Sequence, residues 1–79
     1  MKSNLYFETH DLALAVIISL FFPVNQINKE NPRKVIFIFV KNSKLENVIT
    51  RYWNKELRVE PRQYFDQLKV LKARIYSNE

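Results

Sequence analysis

Side chains able to do covalent or proton-transfer chemistry are scarce in this chain. One histidine and no cysteine leave His10 as the sole imidazole for a Ser-His or Cys-His nucleophile system. It stands where a helix is expected to begin, the setting of a surface or cap-adjacent histidine. Glu8 and Asp11, flanking Thr9, are the nearest approach to paired acids. A carboxylate in the first turn complements the helix dipole, which accounts for Asp11 without proton transfer. Two carboxylates are also too few to hold a metal. The absence of glycine removes the phosphate-cradling P-loop and the dinucleotide fingerprint. The chain is read as non-enzymatic, with no cofactor and no metal.

Non-covalent chemistry is better represented. The 79 residues carry 13 Lys and Arg against 8 Asp and Glu, a net charge of +5. Such side chains release counterions from phosphate backbones, so DNA or RNA is the default partner. Residues 1–40 hold four basic and three acidic side chains, and residues 41–79 hold nine and five. The positive field therefore belongs to the second half. Arg51, Lys55, Arg58, Arg62, Lys69 and Arg74 are the candidate contacts, forming one positive surface if the second and third helices pack side by side, with Asn54 and Gln63 able to hydrogen-bond sugars, phosphates or bases. Glu46, Glu56, Glu60 and Asp66 interrupt the stripe, as on an ordinary solvated helical exterior. Tyr52 and Trp53 have the rings to stack on single-stranded bases, but their helical spacing with Val48 and Ile49 assigns them to core packing.

The elements that must position these residues are organised by Leu12 to Phe22, eleven residues with one hydroxyl and no charge. A helix apolar on all sides must be enclosed by protein or lipid, and this run spans about 17 Å, roughly half of a hydrocarbon core. It is read as a central buried helix, opened by Thr9 as N-cap and stopped by Pro23. Leu5 to Glu8 suits a strand before it. Val24 to Asn28 and Lys34 to Val40 read as antiparallel strands around a polar turn at residues 29–33. The run Val35-Ile-Phe-Ile-Phe-Val40 lacks polar alternation, which marks a central strand covered on both sides or one with a face used as an interface. A sheet order 1-3-2, with the first and second strands as parallel neighbours of the third, permits a right-handed crossover through the first helix.

Ser43-x-x-Glu46 matches a capping box for a second helix from Lys44 to Trp53, with Leu45, Val48, Ile49, Tyr52 and Trp53 as its apolar stripe. Asn54 is the expected left-handed terminus. A connector at 55–60 leads to a third helix with Pro61 at its first position and Val59 and Tyr64 spaced as a hydrophobic staple. Its apolar face is Tyr64, Phe65, Leu68, Leu71, Ile75 and Tyr76. Lys72 falls inside that arc, where it either snorkels out beside Phe65 and Tyr76, the favoured outcome, makes a cation-π contact with one of them, or marks an edge of the arc used by a partner. With no Gly, sharp turns must use Asn or avoid positive φ.

The fold class is α+β: one small domain over 1–79 in the order β-α-β-β-α-α, a three-stranded sheet with a buried central first helix and two C-terminal helices. Tyr6-x-x-Thr9-x-Asp11-Leu12, Phe37-x-Phe39, Tyr52-Trp53, Val59-x-Pro61-Arg62-x-Tyr64 and Leu71-Lys72-x-x-Ile75-Tyr76 together resemble a small family of uncharacterised bacterial domains. The likeness covers nearly the whole chain and implies this element order. It transfers no functional residue, since that family has no assigned activity. At Phe22-Pro23 the chain departs from a Gly frequent in the family, so a different turn is expected there. Lys2 precedes an apolar stretch of signal-peptide length, but Glu8 and Asp11 intervene and Pro23-Val24-Asn25 offers no cleavage site. The absence of Cys fits a reducing cytoplasm. The expected function is a basic module contacting nucleic acid through the second helix, connector and third helix. The alternative is a protein-interaction or self-assembling module, motivated by apolar surface at Val35 to Val40 and on the first helix. Membrane association through the first helix is disfavoured by its length and lack of a polar face.

Overall fold

The computed structural model describes residues 5–77, and Lys2 lies outside them. The elements are β1 (Tyr6–Thr9), α1 (Leu12–Ser19), β2 (Gln26–Asn28), β3 (Ile36–Val40), α2 (Ser43–Trp53) and α3 (Pro61–Tyr76). β3 is the central strand of a sheet ordered β1-β3-β2. Tyr6 faces Val40 and Thr9 faces Phe37 in an antiparallel β1–β3 pair. Gln26 faces Ile38 and Asn28 faces Ile36 in an antiparallel β2–β3 pair. The strand order is the expected one, but β1 is antiparallel to β3, not parallel. The parallel relation holds between β1 and β2 themselves: α1 carries the chain across the sheet, and the β2–β3 turn then reverses its direction. β2 and β3 each begin two residues later than expected and β1 is shifted by one, and single bonds from Asn25 N to Ile38 O (2.8 Å) and Lys41 N to Leu5 O (2.9 Å) extend the ladders beyond them.

Alternation along each strand gives the sheet two different faces. Phe37 and Phe39 are buried and belong to one cluster with Leu14, Ala15, Val16 and Ile18 of α1, Leu45 of α2 and Leu71 of α3. Phe7 and Ile27 pack at the margin of that cluster. On the opposite face lie Tyr6, Glu8, Ile36, Ile38 and Val40, and no helix among the described residues joins them to the core. The third strand is therefore covered on one side only.

α1 is enclosed from Leu14 through Ile18, all of them buried. Its cap is Asp11, not Thr9: Asp11 Oδ1 accepts the Leu14 amide at 3.2 Å. Thr9 ends β1, and its hydroxyl accepts the Asp11 amide at 3.1 Å, orienting the residue that caps. The helix stops at Ser19, three residues before Phe22. Ser19 Oγ donates to Val16 O at 2.7 Å, and the amides of Leu20 and Phe21 turn to the carbonyls three residues back, Ile17 (3.2 Å) and Ile18 (3.0 Å). A side chain competing for a helical carbonyl tightens the last turn in this way. Pro23 then holds the following chain extended.

α2 begins one residue earlier than expected, with Asn42 as its cap accepting the Leu45 amide at 2.8 Å. Ser43 is the first helical residue, so the Ser43–Glu46 capping box does not form. Glu46 instead lies 3.9 Å from Lys41 Nζ. α3 starts at Pro61 as expected, and Glu60 accepts the Gln63 amide at 2.8 Å. Val59 and Tyr64 are both half-buried at the staple positions. Asparagine serves the β2–β3 turn, where Asn28 Oδ1 accepts the Glu30 amide and Asn31 Oδ1 accepts the Arg33 amide, each at 3.0 Å. Such Asx bonds turn the backbone without glycine.

The caps make a discriminating pair of variants. Asn42→Ala should lower stability by about 1 kcal/mol, while Ser43→Ala should change it by less than about 0.5 kcal/mol. Chemical denaturation of the two proteins checks this, and the reverse order would restore the capping box.

Candidate nucleic-acid interface

The second half of the chain places cations on three segments. Arg51 is exposed on α2, Lys55 and Arg58 are exposed in the connector, and Arg62, Lys69 and Arg74 are exposed on α3. Among the described residues the only ion pair is Lys41–Glu46, so none of these six has an acidic partner there. The connector alternates half-buried Leu57 and Val59 with exposed Arg58 and Glu60. Its apolar residues anchor it, and the alternation of extended backbone turns Arg58 outward.

Lys55 takes the left-handed conformation at φ 61°, the only positive φ among the described residues. Asn54, the expected left-handed residue, has φ −84° and is the last residue before the turn. The Glu56 amide bonds Arg51 O at 2.9 Å and the Lys55 amide bonds Tyr52 O at 3.1 Å. These two bonds are those of a Schellman turn, whose left-handed position favours glycine. A lysine there carries a steric cost of about 1–2 kcal/mol.

α2 and α3 each pack against α1, and their contact with one another is slighter than either. The two helices are therefore not a side-by-side pair, and the cations fall into separate groups. Arg51, Lys55 and Arg58 surround the end of α2 and the connector. At 100° per residue, Arg62 and Lys69 lie within about 20° of each other on α3, whereas Arg74 is more than about 100° away. Arg74 instead lines a cleft with Ile27, Lys29 and Ser77. There Lys29 Nζ donates to Arg74 O (3.1 Å) and Ser77 O (3.0 Å). A cation on the terminal carbonyls complements the helix dipole, so Lys29 serves the fold.

On α2 and α3 three aromatic positions depart from their expected burial, as Phe21, 49 % exposed, does just beyond α1. Trp53 is 60 % exposed, Phe65 58 % and Tyr76 78 %, although helical periodicity assigns all three to apolar stripes. Trp53 lies about 80° around α2 from the buried Leu45, and meets Tyr52 edge to face with centroids 4.9 Å apart. On α3 only Leu71 is buried, with Tyr64, Leu68 and Ile75 half-buried beside it. The six-residue apolar arc is thus two faces: a core-facing one, and an outer flank holding Phe65, Lys72 and Tyr76. Lys72 inside the arc is the one sign in the sequence that the arc is too wide.

The residues weighed for catalysis are dispersed. His10 is exposed, Glu8 stands on the helix-free sheet face, and Asp11 is committed to capping α1. Burial pushes the Tyr52 phenol above its ordinary pKa, and the charges of Asp11 and Tyr64 nearby add to it. Among the described residues, no group of three His, Asp or Glu is placed to hold a metal, and no helix is long and apolar enough to cross a membrane.

Residues 4–77 match the family model Domain of unknown function (DUF5659), and the chain belongs to that family. No curated protein matches the chain, and no solved structure matches it.

The turn at Lys55 yields a test independent of ligand. Lys55→Gly should raise stability by about 1 kcal/mol. A thermal melt no higher than that of the parent protein would contradict the left-handed assignment.

Proposed function

We propose that this domain is a small, non-enzymatic module that contacts nucleic acid through the outward surfaces of α2, the connector and α3. The observation that carries this reading is the five exposed cations Arg51, Lys55, Arg58, Arg62 and Lys69, each without an acidic partner among the described residues; Arg74, in the cleft beside Lys29, stands apart from them. An unpaired surface cation loses little by exchanging water and counterions for phosphate oxygens, and the released counterions drive binding. Arg58 and Arg62 hold the centre of the interface, because the anchored connector feeds directly into the first turn of α3. The absence of Cys in a 79-residue chain supports work in the reducing cytoplasm.

Charge reversal at Arg58 and Arg62 tests the reading. The doubly substituted protein (Arg58→Glu with Arg62→Glu) should bind DNA and RNA at least about tenfold more weakly, and the log-log salt slope should fall by about one for each phosphate no longer neutralised. Affinity equal to that of the parent protein across salt concentrations would end the proposal.

A second reading, self-association or a protein partner, is favoured by one observation: Ile36, Ile38 and Val40 line the sheet face that no helix among the described residues covers, with Val40 52 % exposed and Tyr6 49 % exposed beside it. It predicts a dimer in sedimentation that Ile38→Lys converts to monomer. A parent protein that stays monomeric at high concentration, with no partner on that face, removes it.

A further inference from the structure

We infer that the outer flank of α3 is a stacking platform for single-stranded nucleic acid. This rests on the nucleic-acid reading above and specifies the form of the polyanion, an unpaired strand in place of a duplex. Arg62, Phe65, Lys69, Lys72 and Tyr76 follow one another at intervals of three, four, three and four residues. At 100° per residue they occupy an arc of about 80° on one side of the helix. All five are exposed, and Phe65 at 58 % and Tyr76 at 78 % are among the most solvated large apolar side chains of the domain. The half-buried Leu68 bounds this arc on its core side and Asp66 on the other.

The composition of the flank selects its ligand. Three cations with no acidic partner among the described residues match a phosphate backbone, and two solvated rings among them match unpaired bases. Base stacking on an aromatic side chain is sequence-tolerant because every base has a π-face. In a duplex those faces are already stacked on neighbouring bases, so the rings gain nothing there. An acidic protein surface would use the cations but would leave Phe65 and Tyr76 in water. From Arg62 to Tyr76 the helix runs about 21 Å, which at ~3.4 Å per nucleotide accommodates about six nucleotides or fewer.

The rings distinguish this inference from the wider reading. Fluorescence anisotropy would compare a labelled oligouridylate, an oligodeoxythymidylate and a DNA duplex of equal length, with phosphatidylserine vesicles in a parallel flotation assay. The proteins are the parent, Phe65→Ala, Tyr76→Ala, Phe65→Leu and Lys69→Glu, their folding verified by circular dichroism melts. The single strands should bind at least about tenfold more tightly than the duplex. Each aromatic-to-alanine change should weaken single-strand binding about tenfold, with the salt slope and duplex affinity unchanged. Phe65→Leu should behave as Phe65→Ala, because leucine keeps the apolar area but has no ring. Lys69→Glu should weaken both forms and lower the slope. Equal affinity for duplex and single strand, or ring variants that bind as the parent does, would overturn the inference while Lys69→Glu still upheld a cationic interface. Full rescue by leucine, or vesicle capture stronger than strand binding and abolished in Phe65→Ala, would also overturn it. Failure of every nucleic acid to bind would end both readings.

Discussion

Enclosure of α1 is the constraint on which the rest of this domain depends. Leu14, Ala15, Val16, Ile17 and Ile18 are consecutive and all buried, so the helix has no side it can leave in water. Full burial of each Leu, Val or Ile is worth about 1.5–3 kcal/mol, and a helix of two turns has little stability of its own. The sheet must supply one wall through Phe37 and Phe39, and α2 and α3 must supply the others through Leu45 and Leu71. Among the described residues nothing is left to cover the second face of the sheet or the far sides of the two outer helices.

The asymmetry of the surface follows from that shortage. One layer of helices lies on one sheet face, and the smallest extent of the domain is 19 Å. α2 and α3 each present a single inward residue that is fully buried, so most of their circumference faces water. The basic residues of the second half accordingly stand outside, while the sheet face beyond β3 keeps an apolar centre of Ile36 and Ile38. The domain thus offers two surfaces of opposite character, a cationic one on the helices and an apolar one on the sheet. The nucleic-acid reading draws on the first and the self-association reading on the second.

Much of this architecture is legible in the sequence because it is set by long-period signals. The all-round apolar run of α1 demands enclosure, the unbroken apolar run of β3 marks a central strand, and Pro61 marks the start of α3. What the sequence conveys poorly is local competition between equivalent groups. Thr9 and Asp11 both qualify as caps, as do Asn42 and Ser43, and in each pair the better-placed carboxylate or amide oxygen prevails over the hydroxyl. Lys55 in place of Asn54 takes the left-handed position because helix length fixes where the Schellman bonds close. Burial at the ends of α2 and α3 is not local at all. Trp53, Phe65 and Tyr76 obey helical periodicity, yet each lies on a flank turned away from the one buried residue of its helix, Leu45 or Leu71.

Separation of the two surfaces can be measured directly by following amide and aromatic resonances during titration with a short single-stranded oligonucleotide. The account predicts saturable shifts at Arg58, Arg62, Phe65, Lys69, Lys72 and Tyr76, with Tyr6, Ile36, Ile38 and Val40 unmoved. Shifts centred on the sheet face, or none anywhere at low salt, would contradict it and return the positive charge to the role of a solvated exterior.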